Sequence, residues 1–152
     1  MYGGLPSSTM RYLVATDGST LGDEAVRHAA RQAVAFDATL VIAHVLTPDS
    51  ELIDGTLILP GEEAAVEEGE RVLEGARAVA EEVAEAENAD IGIETELLTG
   101  RPADAITEFA DETDADGIHV GHRGLSEERE QVVGSVAKSV VDKATVPVTV
   151  IR

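Results

Sequence analysis

The stretch VGHRGLSEEREQVVGSVAKSVV, from Val120 to Val141, decides the fold. It leaves an apolar run, crosses a loop rich in glutamate, and restarts at Gly134-Ser135 in a segment with helical spacing. A short apolar run that leads through a loop into a helix is the unit from which parallel sheets are built. The rest of the chain shows the same alternation.

Five apolar runs predict strands, and four segments with apolar residues at i, i+4 spacing predict helices. Strands are expected at residues 11–17, 38–46, 91–98, 117–120 and 146–151. Helices are expected from Ser19 or Thr20, over about 62–87, after Pro102 and after Gly134. Residues 47–61 are expected to form an irregular connection. The third strand alternates between apolar and polar residues, which is typical of a sheet edge.

This alternation predicts one α/β domain over residues 10–152, with a five-stranded parallel sheet between helices on both faces. The expected strand order is 3-2-1-4-5. A length of 152 residues suits one domain and can bury a core without disulfides. Residues 1–9 are small and polar, and we expect them to be disordered.

The charge of the chain is strongly acidic. It has 30 acidic and 11 basic residues, a formal net charge of −19, and its only lysines are Lys138 and Lys143. This balance argues against a nucleic-acid partner, which would need a basic face. Salt screens such self-repulsion, so the composition favours a protein of a salt-accumulating halophile, here a haloarchaeon, over an acidic mesophile.

Other classes of protein are excluded by what the sequence lacks. With no cysteine there can be no disulfide, thiolate nucleophile or Cys-ligated zinc. No apolar run approaches the length of a membrane span, so a soluble cytoplasmic protein is expected. The chain contains neither GxxxxGK[ST] nor GxGxxG, which removes P-loop enzymes and dinucleotide dehydrogenases.

Two loops are candidates for a binding site. In open α/β sheets, ligands bind beyond the carboxyl ends of the strands where the winding direction switches. In the order 3-2-1-4-5 the switch lies between strands one and four, so the loop at Ala15–Ser19 would face the loop that begins at Gly121. Gly121 and Gly124 would let backbone approach an anion closely, with φ above zero where required. Gly134 and Ser135 would offer a helix N-terminus to the same anion.

Each of these features alone has a simpler interpretation. Asp17 and Ser19 could be a turn residue and a helix N-cap, and the glycines could be ordinary turn residues. His44 and His119 lie in buried strands and are better explained as core residues than as ligands, and His28 is expected on a helix surface. Only the combination of motifs decides between a site and plain connections.

That combination resembles the universal stress protein family. The spacing Gly121-x2-Gly124-x9-Gly134-Ser135 matches the nucleotide-binding signature of that family. The other matching segments, in chain order, are Thr16-Asp17-Gly18-Ser19, His44-Val45, Gly100-Arg-Pro-Ala-Asp-Ala-Ile106 and Val146-Pro-Val-Thr-Val150. The resemblance covers residues 10–152 and implies a Rossmann-like fold of the adenine nucleotide alpha hydrolase type.

The resemblance also implies ATP as the ligand, with Mg²⁺ or Mn²⁺ held mainly through the phosphates and no metal ligand from the protein. Asp17 would lie beside the nucleoside, and the backbone of Val45 would meet the adenine edge. The site residues that it implies are Ala15, Thr16, Asp17, Val45, Gly121, His122, Arg123, Gly124, Gly134, Ser135 and Val136. Two copies would form a homodimer through the last strand, Val146–Ile151, and an unknown protein partner would receive the signal.

The loop departs from the family in its charge. Glu127, Glu128 and Glu130 would repel a triphosphate if they faced it, and Arg123, Arg129 or a divalent cation could offset them. No catalytic residues are expected, because the sequence suggests no nucleophile with an oriented base. Three functions therefore stay open: an ATP-binding stress or regulatory protein, a dimeric interaction module that binds no nucleotide, and a slow ATPase.

Overall fold

The structure is a computed structural model that describes residues 10–46, 51–53, 56–58, 62–122 and 134–152. These residues form seven strands and four helices. In chain order they are β1 (Arg11–Ala15), α1 (Thr20–Phe36), β2 (Thr39–Leu46), β3 (Glu51–Ile53), β4 (Thr56–Ile58), α2 (Glu62–Ala86), β5 (Ile93–Thr99), α3 (Pro102–Glu112), β6 (Gly117–Gly121), α4 (Ser135–Lys143) and β7 (Val148–Ile151). The tail at residues 1–9 lies outside the described residues, so its expected disorder stays a prediction.

The main sheet has five parallel strands in the order β5-β2-β1-β6-β7. Counted among themselves, these strands have the order 3-2-1-4-5, which confirms the prediction. The strand predicted to lie at an edge, β5, does so, and β7 forms the opposite edge. The first strand, β1, lies in the middle of the sheet. The next two, β2 and β5, lie on one side of it, and β6 and β7 lie on the other side.

Two helices cover each face of the sheet. Alternate residues of the central strands point to opposite faces. Val14, Leu40 and Ile42 pack with the alanine-rich side of α1 and with α2 on one face. Leu13, Val41 and Ile118 pack with α3 and α4 on the other. Burial on both faces explains why these strands read as continuous apolar runs.

Local signals set the helix bounds. Ser19 is the N-cap of α1, and its hydroxyl accepts a hydrogen bond from the Gly22 amide at 3.0 Å. Pro102 opens α3, where its missing amide costs no hydrogen bond. The chain enters a left-handed conformation at Asp37, Asn88 and Asp114, just beyond the ends of α1, α2 and α3. Asn and Asp tolerate this conformation better than other residues with side chains.

Several of the expected element bounds are wrong, among them the start of the third strand, which is Ile93 rather than Ile91. Residues 47–61 contain the antiparallel hairpin of β3 and β4, where an irregular connection was expected. The last strand begins at Val148 rather than Val146, because Pro147 has no amide hydrogen to give to the ladder. The first strand ends at Ala15 rather than Asp17. None of the helices described here is long and apolar enough to cross a membrane.

Candidate functional site

The two predicted loops leave neighbouring strands at the same edge of the sheet. β1 and β6 pair in parallel, with Tyr12 opposite Gly117 and Val14 opposite His119. The chain leaves β1 toward α1, on one face of the sheet. It leaves β6 toward α4, on the opposite face. The winding direction therefore reverses between β1 and β6, and this is the position at which open α/β sheets bind ligands.

Thr16 is the central residue of the loop after β1. Its amide donates to the Ala43 carbonyl at 3.0 Å, which extends the contact with β2 one residue beyond the strand. Its hydroxyl oxygen accepts from the Gly18 amide at 3.2 Å. Its carbonyl oxygen lies 2.8 Å from Nδ1 of His44. The residue is buried, so the position of the loop is set by these three contacts.

Asp17 and Ser19 both have structural roles. Oδ1 of Asp17 accepts from the Ser19 amide at 3.0 Å, which forms an Asx turn. Gly18, between them, has a φ of 84°, a conformation that disfavours residues with a Cβ. The simpler interpretation of this motif, a turn followed by an N-cap, is therefore realised in the molecule. It does not conflict with binding, because a carboxylate has a second oxygen and further acceptor positions.

Gly22, which the sequence analysis missed, brings α1 close to this loop. A Cβ built on Gly22 would lie 2.5 Å from Oγ1 of Thr16, 3.2 Å from Oδ1 of Asp17 and 3.3 Å from Oγ of Ser19. No side chain fits there without moving at least one of these groups. A glycine in the first turns of a helix is unfavourable by propensity, and that was the signal that could have identified it.

Val45 directs its backbone toward the place where β1 has ended. In a strand that lies between two other strands, successive residues form backbone hydrogen bonds alternately to one neighbouring strand and to the other. In β2 the Thr39 amide bonds to Met10 at the start of β1, and the Leu40 amide bonds to Gly92 at the start of β5. Val45 lies an even number of residues after Thr39 in β2. Its N–H and C=O therefore point toward β1, as those of Thr39 do. The ladder between β1 and β2 stops at the pair Ala15–Ala43, two residues earlier.

The two ends of the loop after β6 are fastened together. The His122 amide donates to the Ile151 carbonyl of β7, and the Gly134 amide donates to the His122 carbonyl, each at 2.6 Å. His122 is itself buried. Gly121 and Gly134 therefore lie near one another although twelve residues separate them. Arg123, Gly124 and the glutamates at 127, 128 and 130 lie outside the described residues.

Gly134 provides the N-cap of α4, as its expected place at a helix N-terminus implied. Its φ and ψ are −66° and 156°, which most residues can adopt, and no side chain caps the helix. Gly121 does not have a positive φ either, since Gly18 and Gly100 are the described glycines that do. What distinguishes Gly134 is that it is buried.

No side-chain hydrogen bond from the described residues caps the N-terminus of α4. The first amides of a helix have no acceptor within the helix, and the helix dipole favours an anion there. Ser135 and Val136 begin the helix on its exposed side, whereas Ala137 is buried. The Lys138 amide, by contrast, bonds to the Gly134 carbonyl at 3.1 Å and closes the first turn.

His119 and His28 lie outside this site, as expected. His119 is 1% exposed, and its Nε2 lies 2.6 Å from Oε1 of Gln32 on α1. Its Nδ1 has no hydrogen-bond partner within the described part of the chain, so it is only partly satisfied. The ring of the exposed His28 lies 5.6 Å from that of His119. Burial, with a contribution from His28, lowers the pKa of His119 to about 4.

A surface depression on the described residues is adjacent to the crevice but not in it. It has a volume of about 290 Å³ and lies between the loop after β1 and α2. Its lining is Gly18, Asp23, Glu68, Arg71, Val72, Gly75 and Ala76. It contains none of the predicted site residues, and the crevice at the strand switch remains the better candidate because of its backbone geometry. The described residues contain no cluster of three or more His, Cys, Asp or Glu that could hold a metal ion.

Comparison with known proteins supports the resemblance seen in the motifs. A universal stress protein of Methanocaldococcus jannaschii is 33% identical over 149 residues, which cover 93% of this chain and 81% of that protein. The structure of the Archaeoglobus fulgidus universal stress protein in complex with dAMP superposes with a TM-score of 0.71 at 28% identity. It covers 94% of this chain and 98% of that one. A universal stress protein in complex with cAMP superposes with a TM-score of 0.69 at 28% identity, covering 95% and 97% of the two chains. The universal stress protein family profile matches residues 9–152, and the chain belongs to that family.

Proposed function

We propose that this protein binds an adenine nucleotide in the crevice between β1 and β6. The observation that carries the proposal is the geometry at the strand switch. The backbone of Val45 faces the end of β1, and the N-terminus of α4 opens beside Gly121. An N–H and a C=O from one residue complement the N1 acceptor and the N6 donor of adenine. A helix N-terminus complements phosphate.

The ligand would extend along the carboxyl ends of the central strands. Adenine would lie against Val45 and Ala15, the ribose beside Asp17, and the phosphates against Gly121 and the start of α4. The structures of two similar family members are complexes with dAMP and cAMP. Ligands with an adenine base and one phosphate therefore fit other proteins that have this fold. Both complexes support the proposed class of ligand.

Within that class we propose ATP as the ligand, with Mg²⁺ or Mn²⁺ bound through its phosphates. The spacing of Gly121, Gly124, Gly134 and Ser135 matches the signature for which the family resemblance implies ATP. The metal would offset the repulsion between a triphosphate and an acidic chain of net charge −19. The protein would act as a nucleotide-dependent regulatory module, with slow or no hydrolysis.

We also propose a homodimer through the last strand, over Val146–Ile151. β7 is an edge of the sheet, and an apolar edge strand presents unpaired backbone groups to a second copy. Dimerisation does not require nucleotide, so a nucleotide-free interaction module is the second candidate function. Sedimentation in molar KCl distinguishes monomer from dimer, and a monomer at micromolar concentration would remove the dimer proposal.

A thermal-shift panel tests the class of ligand. AMP, ATP, GMP and GTP are each added at millimolar concentration in molar KCl, with and without Mg²⁺. We expect AMP and ATP to raise the melting temperature and the guanine nucleotides to leave it unchanged. The rise in melting temperature caused by ATP should depend on Mg²⁺ more strongly than the rise caused by AMP. If no adenine nucleotide stabilises the protein, the interaction module becomes the better explanation.

A further inference from the structure

His44 lies where it can control the loop after β1. Its Nδ1 is 2.8 Å from the Thr16 carbonyl oxygen. A carbonyl oxygen only accepts hydrogen bonds, so Nδ1 carries a proton and donates it. The ring is half-buried, and a Cβ built on Gly69 of α2 would lie 3.4 Å from its Cδ2. The absence of a side chain at Gly69 thus lets α2 lie close against the imidazole.

The Thr16 carbonyl oxygen would accept the next hydrogen bond of the parallel ladder between β1 and β2. The last bond between β1 and β2 runs from the Thr16 amide to the Ala43 carbonyl. In a parallel ladder the following bond would run from the Val45 amide to the Thr16 carbonyl. Among the residues that the structure describes, no backbone bond joins Val45 and Thr16. The side chain of His44 donates to that carbonyl oxygen instead, from the ring nitrogen Nδ1.

We propose that His44 is a positioning residue that keeps the Val45 amide available to the adenine base. By donating to the Thr16 carbonyl oxygen, His44 holds that oxygen in a position where the Val45 amide does not reach it, and the N–H that would meet adenine N1 stays outside the ladder. This inference rests on the proposed function, since it deepens the recognition of the base at the same site. It assigns to His44 a role in selecting adenine, in addition to its place in the core.

The proposal predicts a specific loss of base selectivity. In a His44→Ala variant the Thr16 carbonyl can accept from the Val45 amide, as an unmodified ladder would. AMP should then bind more weakly, by about five- to tenfold, the effect of one hydrogen bond. IMP has a protonated N1 and no amino group, so it does not use this amide, and its binding should change little. The preference for AMP over IMP is therefore the quantity to measure.

A conservative variant separates positioning from general packing. The side-chain nitrogen of asparagine is as many bonds from the Cα as Nδ1 of histidine, so His44→Asn can still donate to Thr16. We expect His44→Asn to retain most of the AMP preference. His28→Ala, which changes an exposed histidine on α1, serves as the matched control and should leave the preference unchanged.

A measurement without nucleotide tests the inference independently of the proposed function. Hydrogen exchange of the Val45 amide, followed by NMR, should be slower in His44→Ala than in the wild type, because the amide gains an acceptor. Slower exchange together with a reduced AMP preference supports the proposal. Unchanged exchange, or an equal loss of AMP and IMP affinity, would overturn it. If the wild type binds no nucleotide, the proposed function fails, and the exchange rates alone then decide whether His44 holds the ladder open.

Discussion

Asp17 combines a structural contact with a proposed contact to the nucleoside, and substitutions can separate the two. Its Oδ1 accepts from the Ser19 amide. Asn at this position keeps that oxygen but lacks the charge, whereas Ala loses both. We expect Asp17→Ala to weaken AMP binding by about 1–3 kcal/mol, the range for a hydrogen bond to a charged group. Asp17→Asn should lose less affinity and keep the wild-type melting temperature. Calorimetric titration of both variants measures this, and equal affinity of Asp17→Ala and the wild type would remove Asp17 from the site.

His119 makes the stability of the fold depend on pH. Its folded-state pKa is lowered to about 4, below the value of 6.5 for a free histidine. Between these pH values the unfolded chain binds the proton and the folded chain does not. The free energy of unfolding therefore falls as the pH falls through this window, and the contribution of His119 is complete only above it.

The expected size of this effect is about 2 kcal/mol between about pH 7 and about pH 5. Urea unfolding at both pH values measures it in the wild type and in His119→Phe. The carboxylates titrate in both proteins, so their contribution cancels in the comparison. A loss that is as large in His119→Phe as in the wild type would show that His119 is not responsible.

At the residue scale, the sequence did not reveal backbone conformations or contacts between distant residues. Gly121 was expected to take a positive φ where required, but the described glycines with a positive φ are Gly18 and Gly100. His44 was interpreted as a core residue, and its bond to the Thr16 carbonyl became visible only in three dimensions. A contact between residues 28 positions apart leaves no local pattern in a sequence.

At the scale of elements, α1 and α2 offer a matched pair of glycines. Alanine is favoured over glycine in a helix by about 1 kcal/mol. At Gly75, on the exposed side of α2, nothing lies within 4 Å of a built Cβ, so Gly75→Ala should raise the free energy of unfolding by about 0.5–1 kcal/mol. At Gly22 the Cβ would meet Oγ1 of Thr16 at 2.5 Å, and Gly22→Ala should lower it by about 1–3 kcal/mol.

Urea unfolding of the two variants in the same buffer measures this difference. Gly22→Ala should also weaken AMP binding, because relief of the clash displaces Thr16 or Asp17, whereas Gly75→Ala should bind as the wild type does. Stabilisation by Gly22→Ala would mean that α1 does not press against the loop as described.

The helices and central strands were predictable because each carries its own local signal. The start of α1 follows from Ser19 and that of α3 from Pro102. The hairpin of β3 and β4 was missed, although the sequence between them contains an Asp-Gly dipeptide, which is a recognised hairpin signal. Its strands are three residues long, too short for alternation to stand out.

At the scale of the whole molecule, the net charge of −19 predicts a strong dependence on salt. The Debye length falls from about 10 Å at 0.1 M salt to about 3 Å at 1 M, which screens the repulsion between surface carboxylates. We expect the melting temperature to rise steadily with KCl up to molar concentrations. Thermal unfolding over a KCl series measures this, and a melting temperature that is flat or falls would remove the halophile hypothesis.

The central claim is that an adenine nucleotide lies in the crevice between β1 and β6 with its phosphates at the start of α4. Calorimetric titration of AMP, and of ATP with Mg²⁺, into the wild type and into Gly134→Val in molar KCl tests it most directly. The backbone at Gly134 is extended, a conformation that valine adopts, and the melting temperature of the variant without ligand checks that it is folded. The account predicts one site per chain in the wild type and no measurable binding to the variant, because the valine side chain occupies the phosphate position. No heat with the wild type, or equal affinity of the two proteins, would contradict it.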